Sequence, residues 1–376
     1  MKIGYYCYPT HHTVSFSLIA RSHIRHLRSL GVQIYEVPEL ALPFFSPVKR
    51  APLVIHPLFY IGVKVLDTCL SLSQAAYSQS AEAKLVDVLN NWASKFSKII
   101  GVDVADSDRI SELGVRLTEI CDAVIVPSTS SREAYVSSGV RVPVHVVPHG
   151  VEDRWINAPN YWQTTPVEKV LSQLLTLYSL KKNLNLKLIT FFLWHSEERK
   201  GWPEVAAAYT SLTNTRKDVA LVVVTLTPAP HLFKQLGGKL AVNVHGFFDD
   251  EVKRAIYDLS DIVLVLSRGG GFELCALEAL ARRVPVVTGD WGPFLDYVPR
   301  EMRVPARDRA PVFRGNLFHT GLGYVADVAA AVEKIIDILD HRSWYVELAQ
   351  SWTENVIREN FTWRVIARRL KDIIFS

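Results

Sequence analysis

Short apolar runs alternate with amphipathic stretches along most of this chain. Residues 2–7 form an apolar run, followed by a helical stripe over 17–30 (Leu18, Ile24, Leu27 and Leu30, stopped by Gly31) and a second run over 32–37. This β-α-β beginning predicts a parallel sheet. The same reading predicts strands at 53–56, 98–104, 122–126 and 144–147, and helices at 81–96, 110–120 and 130–138. Residues 154–165 carry aromatic, Asn and Pro residues without a period and read as a linker between domains. A second alternation follows, with strands at 186–193, 219–224, 240–244, 262–266 and 284–287. Helices are expected at 167–180, 203–212, 250–259, 272–282, 325–339, 344–360 and 363–374. The pattern predicts an α/β protein of two Rossmann-like domains, residues 1–153 completed by 361–376, and residues 166–360. Ligands in such sheets bind outside the C-terminal strand ends, so two facing sheets would leave a cleft and close over a ligand.

One segment carries most of the chemistry. The expected strand ending at Leu266 runs into Arg268, then Gly269, Gly270 and Gly271, then the helix that begins near Phe272, Glu273 and Leu274. A glycine turn opening a helix lets backbone N–H groups approach an anion, and the helix N-terminus adds partial positive charge. Glu278 lies further along an otherwise apolar helix, where a carboxylate is costly unless paired. Arg199 and Lys200 follow the strand at 186–193, so with Arg268 three cations are candidates for one diphosphate. In the N-terminal half, Asp103, Asp106 and Asp108 cluster past a buried strand. Asp103 or Asp106 could orient an acceptor hydroxyl or assist its deprotonation, or act as turn and N-cap aspartates. His11 and His12 sit in the first strand-to-helix loop, where either could touch an acceptor or a phosphate, and His149 is expected to pack at the hinge.

These motifs resemble the GT-B glycosyltransferases of retaining family 4, the glycosyl transferases group 1. That family carries two glutamates in a pattern close to E-G-F-G-L-P-x-L-E-A. Gly271, Phe272, Leu274, Leu277, Glu278 and Ala279 match it. The first glutamate's position is Gly270, and Glu273 stands where the family has glycine. The resemblance implies that Glu278 holds the donor's ribose hydroxyls, and it leaves the role of Glu273 open. Residues 122–128 (DAVIVPS) and 147–152 (VPHGVE) resemble two further family segments. Arg199-Lys200-Gly201 resembles the R-K-G that grips the diphosphate. Residues 245–248 (HGFF) resemble the segment near the donor base, which marks Gly246 and Phe247. The arginine that usually precedes R-K-G is replaced by Leu193 and Trp194, and the family's histidine near the sugar is absent. The resemblance implies transfer from a nucleoside-diphosphate sugar to a glycan, lipid-linked or small-molecule hydroxyl, with retention and without a cofactor or metal.

Composition narrows this little. Net charge is +4 over 376 residues, too small to argue for nucleic acid. The four cysteines (Cys7, Cys69, Cys121, Cys275) form no C-x-x-C pair and read as buried thiols of a reducing compartment. No secretory leader or membrane span is read, so a cytoplasmic protein is expected. Arg21, Arg25 and Arg28 stripe the first helix, which suggests a solvated face or a peripheral contact with anionic lipid. The G-x-G-x-x-G of a dinucleotide-binding dehydrogenase is absent after the first strand, where YPTHH stands instead. A glycosyltransferase-like binding protein without turnover, and an epimerase of the same fold, remain as alternatives.

Overall fold

The computed structural model describes residues 2–11, 14–74, 91–165 and 171–376, with backbone alone for residues 66 and 68–74. The chain divides into two compact units. Unit 1 comprises residues 1–149, 313–321 and 363–376, and unit 2 comprises 150–312 and 322–362.

Unit 1 is built on a six-stranded parallel sheet in the order β2-β1-β3-β4-β5-β6. Its strands are β1 (Ile3–Tyr8), β2 (Gln33–Pro38), β3 (Leu53–Ile55), β4 (Ile99–Val102), β5 (Ala123–Val126) and β6 (Val144–Val146). Helix α1 (Ser15–Ser29) buries Ile19, Ala20, His23, Ile24 and Leu27 and leaves Leu18 exposed. Its apolar stripe is therefore rotated one position from the expected one, because α1 packs against the C-terminal helix Trp363–Phe375 as well as the sheet. Residues 58–74, where the sequence predicted no element, form helix α2 (Leu58–Gln74). The expected helix at 81–96 lies largely outside the described residues. Helices α3 (Glu112–Thr118) and α4 (Thr129–Ser137) are both N-capped by serine, Ser111 on Gly114 N–H and Ser128 on Ser131 N–H. Asp122 Oδ2 accepts from Ile99 N–H at 2.6 Å, tying the start of β4 to the start of β5. These two bonds account for the Asp and Ser of the DAVIVPS segment.

Unit 2 carries a second six-stranded parallel sheet, in the order β12-β11-β10-β7-β8-β9. The strands are β7 (Lys187–Leu193), β8 (Val219–Thr225), β9 (Ala241–His245), β10 (Ile262–Val265), β11 (Val286–Gly289) and β12 (Arg303–Val304). β7, β8 and β10 are continuous apolar runs because helices cover both faces of a parallel sheet. The covering helices include α5 (Ser172–Lys182), α6 (Trp202–Thr215), α7 (Asp250–Leu259), α8 (Leu274–Ala281) and α9 (Val328–Asp340). The sequence did not announce the antiparallel hairpin β13 (Ala306–Pro311) and β14 (Leu322–Ala326). β13 is mostly exposed and charged, so it lacks the apolar alternation that marks a strand. Residues 154–165, expected as a linker, fold into the short helices Asp153–Asn157 and Tyr161–Thr164 within unit 2. Buried Arg282 gathers them by donating to the carbonyls of Trp155, Ala158 and Pro159.

Cys7 and Cys121 are buried free thiols and Cys275 is half-buried; the Cys69 side chain lies outside the described residues. Burial pushes the Cys275 thiol up to about 12, so it stays protonated and unreactive at neutral pH. Among the described residues, no helix is long and apolar enough to cross a membrane.

Candidate active site

In unit 2 the strand order reverses between β7 and β10, which are paired in parallel register. That switch point is where an open α/β sheet leaves a crevice beyond its C-terminal strand ends. The loop after β7 carries Arg199 and Lys200, and the loop after β10 carries Arg268 to Glu273. Arg268 N–H donates to Arg199 O at 2.7 Å and joins the two loops. Gly201 makes the approach possible. Its φ is +81°, and a Cβ there would overlap the carbonyl oxygen of Leu266, 2.6 Å from its carbonyl carbon. Only glycine fits both demands.

Arg199 is buried and donates from Nη1 to Gly269 O at 3.0 Å, with Nη2 at 3.4 Å from His195 Nδ1. It braces the glycine loop directly. Lys200 Nζ donates to both oxygens of Glu273, at 2.8 and 2.7 Å. Tyr297 OH donates to the Glu273 carbonyl at 2.7 Å, and the Phe272 ring stacks on Tyr297 at 4.9 Å. Leu274 is the first residue of α8. The structure thus brings Arg199, Lys200, Gly269, Gly270, Gly271, Phe272, Glu273 and Leu274 together.

Arg268 lies on the same loop and is paired with two carboxylates. Its guanidinium bonds Glu204 from Nε and Nη2, at 3.1 and 2.7 Å, and Glu198 from Nη1 at 2.7 Å. Those carboxylates hold its ionisation above the ordinary arginine value, although burial pushes the other way. Arg268 ties the cradle to α6 through Glu204.

Glu278 is buried, as the apolar helix predicted, and it is paired. Lys253 Nζ donates to Oε1 at 2.6 Å and Tyr257 OH to Oε2 at 2.8 Å. Burial pushes the Lys253 ammonium down, but Glu278 and Asp250 more than offset this and hold it above its usual value. Neither partner was picked out from sequence. Their signal is the i, i+4 spacing of Lys253 and Tyr257 on α7, which puts both on one face. A carboxylate accepts about four hydrogen bonds, so Glu278 keeps capacity for ligand hydroxyls. The segment after β9 is also braced. Gln173 accepts from His245 N–H at 2.8 Å and donates to His245 O at 3.1 Å. Gly246 has φ +145° and Phe247 is exposed beside it.

In unit 1, Asp103 is buried, with Oδ2 accepting from Phe59 N–H at 2.7 Å and Oδ1 from Val104 N–H at 2.8 Å. Burial raises its carboxyl to about 7 against the pull of those donors. It anchors the first turn of α2 from outside that helix, with both carboxylate oxygens accepting from backbone N–H groups. Asp106 is half-buried, and its N–H donates to His319 Nδ1 at 3.3 Å. His11 is exposed, and His12 lies outside the described residues. His149 is buried, its ring 6.4 Å from Trp363. Sequence reasoning missed a buried group at the β1/β3 switch point. Tyr6 OH bonds His23 Nδ1 at 2.7 Å and His56 Nδ1 at 3.0 Å.

The two parallel-sheet units and the loop cradle define a GT-B protein. The family model for glycosyl transferases group 1 matches residues 187–341. The chain is 30% identical to "Uncharacterized protein 356" of Sulfolobus islandicus rod-shaped virus 1, over 99% of this chain and 98% of that protein. It is 25% identical to a protein of a Sulfolobus islandicus filamentous virus, over 74% of this chain and 75% of that one. That protein's name assigns it provisionally to the glycosyltransferases. A UDP-forming α,α-trehalose-phosphate synthase from Burkholderia xenovorans shares the fold, with TM-score 0.64 and 12% identity over 100% of this chain and 99% of that one. Residues 187–341 belong to the glycosyl transferases group 1, and the chain as a whole has the GT-B fold.

Proposed function

We propose that this chain transfers a sugar from a nucleoside-diphosphate sugar to a hydroxyl acceptor, a glycan, a lipid-linked sugar or a small molecule, with retention. The observation that carries the reading is the convergence of Arg199, Lys200 and the Gly269–Gly271 loop at the β7/β10 switch point, with Glu278 on the helix that the loop opens. The bond between the anomeric carbon and the diphosphate oxygen breaks, and the leaving diphosphate gains negative charge. Lys200 and the glycine amides meet that charge, and Arg199 holds the loop in shape and adds its own field. Glu278, oriented by Lys253 and Tyr257, accepts from the ribose hydroxyls. Retention places the acceptor hydroxyl on the face that the diphosphate leaves. The acceptor oxygen bonds to the anomeric carbon, and a diphosphate oxygen takes its proton. Protein cations supply the leaving-group stabilisation in this scheme, so activity is expected to be independent of metal. The Burkholderia xenovorans enzyme is named as UDP-forming, which makes UDP the first nucleotide to test.

A thermal-shift screen against UDP, GDP, ADP and dTDP and their sugar conjugates, with and without magnesium, tests the reading. Binding raises the melting temperature by mass action, about 2.7 kcal/mol at a hundredfold excess over Kd. Expected is a shift with one nucleotide family, unchanged by magnesium. No shift with any nucleotide, from a folded sample, overturns the donor assignment. The second reading, a binding protein without turnover, draws on the resting ion pairs, since Lys200 and Arg268 both sit on carboxylates. It predicts a nucleotide shift but no release of nucleoside diphosphate from any conjugate.

A further inference from the structure

A cavity of about 270 Å³ lies in unit 2 at the N-terminal ends of β10 and β11, the opposite end of the sheet from the glycine loop. Its lining includes Arg282, Arg283, Arg342, Asp258 and Asn160. Arg282 and Asp258 neutralise each other. Arg282 Nε and Nη2 donate to the two Asp258 oxygens at 2.8 and 3.0 Å, and both side chains are buried. The other two arginines are less completely matched. Arg283 Nη2 reaches Glu354 Oε1 at 3.3 Å and Ile156 O at 3.5 Å, while Glu354 gives its other oxygen to Arg358 Nε at 2.7 Å. Arg283 Nε is buried and meets no hydrogen-bond partner among the described residues. Arg342 Nε pairs with Asp261 Oδ1 at 2.8 Å, and Asp261 Oδ2 serves Leu188 N–H and Lys181 Nζ. Glu354 and Asp261 are each shared between two cations, which leaves positive charge at the cavity.

The backbone at Arg283 points the same way. Helix α8 ends in a Schellman turn, in which Arg283 N–H donates to Leu280 O at 2.7 Å and Val284 N–H to Ala279 O at 2.9 Å. Arg283 takes the left-handed position of that turn, with φ +60°. Glycine is the residue that fits there without strain. Strained positions cluster at ligand clamps, and here the strain holds a long cation against a cavity.

We propose that this cavity binds a phosphate group, free or carried on a small molecule. Arg283 contributes Nε and Nη1 and Arg342 both Nη atoms, and guanidinium forks match phosphate oxygens in pairs. Asn160 adds a neutral donor. Its Oδ1 accepts from Trp162 N–H at 3.0 Å, so its amide N–H groups are left for the ligand. The volume falls below the ~300–1,000 Å³ of sites for drug-sized ligands, which suits phosphate or a small phosphomonoester rather than a nucleotide. A phosphate held by both arginines ties the C-terminal end of α8 to the start of the helix Arg342–Trp352. The site is separate from the diphosphate cradle and stands independently of the donor reading above.

The test compares wild type, Arg283→Gly, Arg342→Gln and Lys200→Ala. Calorimetry measures binding of inorganic phosphate and of glycerol phosphate at ionic strength matched with sodium chloride, and melting curves confirm that each variant is folded. Wild type is expected to bind at least one of the two probes and to melt higher in its presence. Each arginine variant is expected to weaken that binding about 10-fold or more, and Lys200→Ala, in the cradle, less than about 3-fold. Tighter binding of glycerol phosphate than of phosphate assigns the site to phosphorylated small molecules, and equal binding assigns it to the phosphate group alone. No binding of either probe by wild type overturns the inference. An affinity unchanged in either arginine variant also overturns it, and leaves that arginine as a partner of Glu354 or Asp261 only.

Discussion

Gly201 is where one added methyl group would do most damage. Its positive φ and the overlap with Leu266 predict that Gly201→Ala pushes apart the two loops that Arg268 N–H and Arg199 O hold together. Strain of this kind costs about 1–3 kcal/mol, so a lower melting temperature and loss of nucleotide binding are expected together; an unchanged melting curve would contradict the role given to Gly201. Lys200→Ala is expected to lower turnover ~100-fold or more, on the scale of removing one transition-state donor. Unchanged turnover would remove Lys200 from the mechanism. Lys253→Ala leaves the buried Glu278 carboxylate with Tyr257 as its remaining partner in this pairing. Breaking a buried pair in this way costs about 3–5 kcal/mol, which a denaturant titration reads directly. The sequence carried Arg199, Lys200, Gly201 and Glu278 as chemistry, because their residue types and order follow a known pattern. It did not reveal Arg268's partners. Glu204 lies 64 residues away in sequence, and the fold decides which carboxylate a cation meets. Asp103 was ambiguous for the same reason, since an aspartate after a strand serves a backbone N–H as readily as a substrate.

At the scale of elements, the buried histidines make unit 1 acid-sensitive. Burial lowers His56 and His149 to about 3 and His23 well below 6.5. The histidines lower one another further, His56 and His149 acting on His23, and His149 on His56. A depressed histidine favours the folded state above its unfolded pKa of 6.5, and that stability is lost as pH falls toward about 3. Asp103, raised from 3.8 to about 7, has the opposite sign: its contribution is full below 3.8 and is lost as pH rises through about 7. Replacing His56 by Gln removes one such proton. The slope of stability against pH between about 3 and 6.5 should then fall by up to ~1.4 kcal/mol per pH unit relative to wild type. Parallel curves for the two chains would contradict the neutral buried histidine. None of this was visible in the sequence, where His23 and His56 are far apart and sit in what read as an ordinary helix and an ordinary strand. Most strands were visible, because a strand buried on both faces is a continuous apolar run. Helix α2 and the β13–β14 hairpin were not, the first because charges interrupt an apolar run and the second because β13 is exposed and charged.

At the scale of the molecule, both sheets are doubly wound and each places a switch point beyond its strand ends, between β1 and β3 in unit 1 and between β7 and β10 in unit 2. The alternation of apolar runs and amphipathic stretches was enough to predict two such sheets. Strand order was not legible, because periodicity carries no information about neighbours. The central claim is that the unit 2 switch point holds a nucleoside-diphosphate sugar. A crystal structure of the chain with the nucleotide conjugate selected by the thermal-shift screen tests it most directly. Expected is a diphosphate within hydrogen-bond distance of Lys200 Nζ and the Gly269–Gly271 amides, with the ribose hydroxyls on Glu278. A nucleotide bound elsewhere, with the Lys200–Glu273 pair undisturbed and the glycine loop empty, would contradict it.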